Sequence, residues 1–166
     1  EQTQNYAAHP QATNERVVYT IPVVVHVVYN TTAQNISDAQ IQSQITVMNA
    51  DFRKLNSDAS LVPSAFAGLA ADAELEFCLA QRDPNGNATN GITRTYTTTT
   101  SFSGDAVKGS AQGHTPWDRN KYLNIWVCKL SGGTLGYTYL PGGSAALDGV
   151  VIGYQYFGTM GTAVSP

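Results

Sequence analysis

The side chains of this chain that could do chemistry are few: three histidines, two cysteines and a scatter of acids. A zinc ion held from one helix needs two imidazoles at i and i+4, so that both rings reach the metal. His9, His26 and His114 share no such spacing. His9 sits in a polar stretch, His26 inside a β-branched run and His114 among glycines, so each reads as a surface or hydrogen-bonded core histidine. Cys78 and Cys128 fall in apolar runs and not in a C-x-x-C pair, which argues against a metal or redox motif. They read as structural, with a disulfide, free thiols and bridges to cysteines elsewhere all open. Glu74 and Glu76 alternate with apolar neighbours and are expected to face solvent. Asp83 and Asp148 lie in turn-rich segments, where carboxylates satisfy local backbone donors. Hydrolysis by paired carboxylates needs two acids brought together in space, and nothing in their spacing specifies that. No phosphate loop, nucleophile elbow or dinucleotide glycine fingerprint occurs.

The elements that would position these groups are clearer. Residues 1–16 are polar and mixed and read as an extended arm, or the tail of a removed pro-segment, ahead of one domain over 17–166. Residues 17–29 are β-branched and aromatic almost without a break, the pattern of a central strand covered on both faces, with Pro22 near its start. Ser37 then caps a helix, with Gln40 completing a capping box and Ile36 and Ile41 forming a hydrophobic staple. Ile41, Ile45, Met48, Phe52 and Leu55 make one apolar stripe opposite Gln42, Gln44, Asn49 and Lys54, so the helix should end near Asn56. Residues 74–80 alternate as a half-buried strand and 82–91 are turn formers. A Thr-, Ser- and Gly-rich excursion fills 92–115, with a short strand at 92–96. Strands follow at 122–130, 135–140 and 148–154, with a Gly132-Gly133 turn after the first. Strand, helix and strand form a crossover, which predicts parallel neighbours, while the two-glycine turn predicts an antiparallel pair. The expected fold is α/β (α+β), a mixed, mostly parallel sheet with one long helix backing it. The second face then lacks cover, unless the excursion or a further helix supplies it.

Composition narrows the partners. With 42% hydrophobic residues the chain can bury a core, and with 13% charged it lies well below the average of about 25%. Thr, Asn, Gln, Ser and Gly must supply the polar surface, a balance common in extracellular proteins. A net charge of −3 without a basic stripe leaves nucleic acid and anionic membrane as poor partners. The longest apolar run, 21–28, contains His26 and is too short to span a bilayer. The first residue is Glu1 and no signal peptide is visible, as expected of a processed chain. Asn30, Asn35 and Asn87 stand in N-x-S/T sequons, acceptors wherever the source glycosylates.

Six strings, in order across 17–162, carry a family resemblance: IPVVVHVVY, NISDAQIQSQITVMNADFRKLN, ELEFCLAQRDPNGNATNGITR, KYLNIWVCKL, LGYTYLPGG and DGVVIGYQYFGT. Together they resemble the pappalysin family of metzincin zinc metallopeptidases, of the secreted cytophagalysin and ulilysin type. The resemblance implies a metzincin-like upper subdomain with a twisted five-stranded sheet and two helices, the first matching 37–56. The second carries HExxHxxGxxH, whose histidines bind zinc and whose glutamate is the general base. No HExxH occurs in these 166 residues, so the zinc-binding helix is expected just past Pro166, and it is the expected cover for the second face. Zinc is then the cofactor of the intact protein, with no ligand and no catalytic residue in this chain.

The resemblance also implies that substrate adds as a strand to an antiparallel edge. That edge would lie in 135–140, with Gly136, Tyr137, Thr138 and Tyr139 as substrate-binding residues. The bland alternative is a plain edge strand blunted by nearby Pro and Gly. The family strand order would set the first strand between the two cysteine strands, about 9–10 Å apart and too far for an unstrained bridge. The function implied is part of a secreted metalloendopeptidase, with a protein or peptide substrate as partner. The C-terminal remainder would be continuous with this chain or a separate nicked piece. The alternative is a non-catalytic extracellular assembly or binding protein on the same half-domain, self-associating through its open face and edge. Zinc titrated into these 166 residues should find no catalytic site, and they should cleave no peptide; a zinc-dependent peptidase activity of this chain alone would overturn that.

Overall fold

The computed structural model describes residues 17–140 and 142–163; the arm expected at 1–16, with His9, lies outside them. Strand β1 (Tyr19–Tyr29) organises the sheet, and Val23 to Val28 are each at most 1% exposed. One edge of β1 pairs in parallel with β4 (Leu123–Cys128). The other edge is shared by two short parallel strands in tandem. β2 (Leu75–Leu79) takes Tyr19 to Val23, and β3 (Ile92–Tyr96) takes Val25 to Tyr29. The 82–91 loop links them. Beyond β4 comes β6 (Val150–Gly153), also parallel, and then β5 (Gly136–Thr138), antiparallel to β6. Among the described residues the sheet therefore holds six strands in five positions, against the five strands expected.

The antiparallel pair expected after Gly132-Gly133 is present, but its partner is β6 and not the preceding strand. Both glycines have positive φ, 65° and 74°, and reverse the chain. β6 takes the inner place because it is apolar on both sides. Val151 is buried on one face, and Val150 and Ile152 pack on the other.

Helix α1 (Asp38–Phe52) covers one face. The Gln40 amide donates to Ser37 Oγ at 3.2 Å, so the cap is as expected, and the staple residues Ile36 and Ile41 are both buried. Val23, Val25, Val27, Ile41, Ile45 and Phe157 form the core there. The helix ends earlier than its stripe suggested. Lys54 is left-handed (φ 53°), Leu55 N–H returns to Ala50 O at 2.7 Å, and Leu55 is 75% exposed. The polar face is also not free. The Asn49 amide accepts from Phe77 N at 2.7 Å and donates to Phe77 O at 3.0 Å, pinning β2. Gln40 does not reach back to its cap; its Nε2 donates to Phe157 O at 2.9 Å and its Oε1 accepts from Thr162 N at 2.9 Å. Gln44 accepts from Gly158 N at 2.7 Å. The helix is wedged between β2 and the segment after β6, so its polar side chains meet backbone on both sides.

The excursion covers the second face. Phe102 (3% exposed) and Val107 (0%) lie over Val28, Trp126, Cys128 and Val151. The cover expected from a further helix is supplied here by irregular chain, through a 3₁₀ turn at Asp105–Lys108. Gly113 approaches the Val107 carbonyl so closely that a Cβ would lie 1.8 Å from its oxygen. Cys78 and Cys128 are both free, and β1 runs between their strands. Burial pushes the Cys128 thiol up to about 12, which keeps it protonated and inert. Trp126→Ala should cost about 3–5 kcal/mol in denaturant unfolding, and Leu61→Ala, at an exposed site, within about 0.5 kcal/mol. A Trp126→Ala loss below about 1 kcal/mol would mean that the excursion does not pack as described.

Candidate functional site

β5 lies at the end of the sheet order, and among the described residues no strand pairs with its outer edge. Gly136 allows the close pairing: a Cβ there would stand 2.9 Å from Val151 O. Gly153 N–H donates to Leu135 O at 2.8 Å, which makes Leu135 and Gly153 a hydrogen-bonded pair. The alternation of an antiparallel ladder then puts Tyr137 opposite Val151 in the next such pair. The N–H and C=O of Gly136 and Thr138 are left turned to the outer edge. Tyr139 lies one residue beyond the strand and is 45% exposed. So of the four residues expected to form the edge, two present backbone groups outward and two, Tyr137 and Tyr139, turn side chains onto the excursion face.

Both tyrosines end on one carboxylate. Tyr137 donates to Asp105 Oδ1 at 3.2 Å and Tyr139 to Asp105 Oδ2 at 2.5 Å. Burial pushes the Asp105 carboxyl up, but hydrogen bonds from Tyr139 and Lys108 outweigh it and hold it below the usual carboxylate range. The Tyr139 phenol is raised by its bond to Asp105, and Tyr137 is raised by burial and then by the Asp105 charge. Sequence reasoning missed Asp105 and Lys108, because the excursion has no periodicity. The one available signal was an acid and a lysine three apart around a core valine, facing a Tyr-x-Tyr strand.

A second polar cluster lies deeper on the same face. His26 is fully buried and stacks on His114, ring centroids 4.4 Å apart. Asn124 fixes its tautomer. The Asn124 amide donates to Trp117 O at 2.9 Å, and its Oδ1 accepts from Trp117 N at 2.7 Å. That oxygen also lies 3.0 Å from His26 Nε2, which must therefore carry the proton. His26 Nδ1 accepts from the Thr93 hydroxyl at 2.8 Å. With both nitrogens used, His26 is a hydrogen-bonded core histidine, as read from sequence. Burial pushes it down to about 3 despite the Asn124 bond, so it is neutral at working pH.

The remaining candidates stay apart. Asp83 accepts from Asn85 N and Asn87 N at 2.9 and 2.8 Å, a local turn cap as expected. Asp148 faces Arg119 at 3.4 Å. Glu76 corrects the expectation of a carboxylate facing only solvent: it ion-pairs with Arg53, the C-cap of α1, which also holds Asp72 at 3.1 Å. A cleft of about 370 Å³ at the start of β1 and β4 is lined by Pro22, Arg119, Tyr122 and Asp148, and has no histidine and no paired acids. Among the described residues no group of three His, Cys, Asp or Glu is arranged to hold a metal ion, so these residues do not fit a catalytic zinc.

The His26 environment has a pH signature. Below its free value of 6.5 the unfolded chain takes up a proton that the folded chain refuses down to about 3. Stability should therefore be full above pH 6.5 and fall as pH drops toward 3, by up to about 1.4 kcal/mol per pH step, with His26→Gln removing that slope. A His26 NMR signal that titrates near neutrality would overturn the assignment.

No family model and no curated protein matches the chain. Solved structures do. A promirolysin point mutant of Tannerella forsythia superposes with a TM-score of 0.87 at 56% identity, over 90% of this chain and 51% of that one. Mature mirolysin of the same organism, in complex with a cleaved peptide, gives 0.86 at 55% identity, over 95% and 58%. Mirolysin in complex with a small compound gives 0.86 at 57% identity, over 90% and 58%. The chain thus spans just over half the length of the structures it matches. At 55–57% identity over 90–95% of its length, the chain is similar in sequence and fold to mirolysin, a metzincin-type metallopeptidase, over part of that protein's length.

Proposed function

We propose that this chain is the substrate-edge portion of a secreted, pappalysin-like, zinc-dependent metalloendopeptidase that hydrolyses peptide bonds in proteins. The observation that carries the reading is the open antiparallel edge of β5, with the backbone groups of Gly136 and Thr138 turned outward. An extended peptide laid along it would pair with those groups as an added strand, and Tyr137 and Tyr139 would hold the strand from behind. The likeness to a structure that contains a cleaved peptide supports peptide binding. Zinc chemistry belongs to the remainder of the protein. This chain's part is binding and alignment, which is worth much of a barrier when the scissile bond must be held in one geometry. Secretion is supported by the low charge and the sequons, and no described helix is long and apolar enough to cross a membrane.

Thr138→Pro removes one outward N–H and keeps the backbone ladder to β6, losing on that side the Thr138 hydroxyl's bond to Gly149 O at 3.2 Å. In an NMR titration, a capped peptide of about ten Ala and Thr residues should shift the amides of Gly136 and Thr138 in the unsubstituted protein. The proline variant should bind it roughly tenfold more weakly, the worth of about one net hydrogen bond. Shifts along β2 and β3 instead, or none, would sink the reading. Concentration-dependent dimerisation that protects the same amides would favour the assembly alternative, for which Leu135 and Leu140, 56% and 85% exposed beside β5, are the favouring feature.

A further inference from the structure

Among the described residues β5, three residues long, has one neighbouring strand, so its ladder alone holds it weakly. Behind it lies a cation that surface electrostatics does not explain. The Lys108 side chain is 1% exposed. Its Nζ donates to Leu147 O at 2.6 Å and lies 3.3 Å from Asp105 Oδ1. The same nitrogen stands 5.4, 5.2 and 4.8 Å from the ring centroids of Trp126, Tyr137 and Tyr139. Burying an ammonium is costly unless it is paired and hydrogen-bonded, and fixing a four-carbon stem adds entropy cost. Here every group around Nζ compensates. A carboxylate neutralises it, a carbonyl accepts from it and three ring faces stabilise it.

These partners come from separate parts of the chain. Asp105 belongs to the 3₁₀ turn, Trp126 to β4, Tyr137 to β5, Tyr139 to the residue after it, and Leu147 to the approach to β6. One ammonium therefore ties the excursion, an inner strand, the edge strand and the β5–β6 connection together. The tyrosine hydroxyls complete the arrangement by occupying both oxygens of Asp105.

We propose that Lys108, acting with Asp105, is a positioning residue that fixes the aromatic face of β5 and so holds the outward backbone groups of Gly136 and Thr138 in line for a peptide strand. The proposal rests on the strand-addition reading above. It separates two jobs on one strand: alternate residues offer backbone to the peptide, and the residues between them are clamped from behind.

The test compares Lys108→Met, Lys108→Arg, Asp105→Asn and Tyr139→Phe with the unsubstituted protein, reading global unfolding, amide exchange at Tyr137 and binding of the Ala/Thr peptide. Lys108→Met keeps most of the stem and loses the charge, so exchange at Tyr137 should speed up about tenfold or more, with β1 and β4 amides unchanged. Peptide binding should weaken by a similar factor, with partial rescue in Lys108→Arg. If Lys108→Met does not fold, Asp105→Asn and Tyr139→Phe decide, since both keep the packing volume. A folded variant with unchanged exchange at Tyr137 and unchanged peptide binding overturns the proposal. An unsubstituted protein that does not bind the peptide overturns strand addition instead, and exchange at Tyr137 then still decides whether Lys108 holds the strand.

Discussion

Between Val23 and Val28, β1 has neither an open face nor an open edge. Side chains alternate along a strand, so Val23, Val25 and Val27 demand cover on one side and Val24, His26 and Val28 on the other. A helix meets the first demand well, because its own backbone is already satisfied. The second falls to irregular chain, which can be buried only if its polar groups find partners. The side chains of the second face supply them. The Trp126 indole donates to His114 O, and Asn124 takes both the N–H and the C=O of Trp117. His26 is tolerable in the middle of this because both its nitrogens are bonded.

The edge follows from the centre. Parallel strands covered on both faces are largely apolar, and β1, β4 and β6 are such strands, with hydrogen-bonded His26 and Asn124 the buried polar exceptions. A strand of Gly, Tyr and Thr can then lie only outside them, where one side stays wet. Exposed edges invite pairing with other chains, and proteins usually blunt them. β5 is short, yet its tyrosines are clamped by Asp105 and Lys108 and not left to fray. Blunting would not need that clamp. An edge that must keep one geometry while a partner strand comes and goes would.

Sequence patterns revealed what local physics decides. The Ser37 cap, the Ile36–Ile41 staple, the apolar run of β1 and the turn glycines all formed as their types require. What escaped were choices made by distant groups. Gln40 fits a capping box, but a buried amide is worth more against the backbone at Phe157 and Thr162 than against its own cap. Leu55 continues the apolar stripe, but no core lies under it after Lys54 turns the chain. Strand order is likewise non-local: the turn announces an antiparallel strand without saying which strand receives it. The edge itself was legible only through resemblance, and the carboxylate and lysine behind it were not, since neither shows in periodicity.

The geometry also limits how much this edge can do. It offers the N–H and C=O of two residues, so at most a few backbone hydrogen bonds of about 0.5–1.5 kcal/mol each. Association alone costs about 4 kcal/mol or more, so a peptide held only here would bind in the millimolar range or weaker. Main-chain pairing also scarcely distinguishes one sequence from another. If peptide adds to this edge as proposed, affinity and selectivity must come from surfaces outside β5, and the edge would contribute alignment. For that task rigidity matters more than contact area, which is why a buried cation fits behind a strand of three residues.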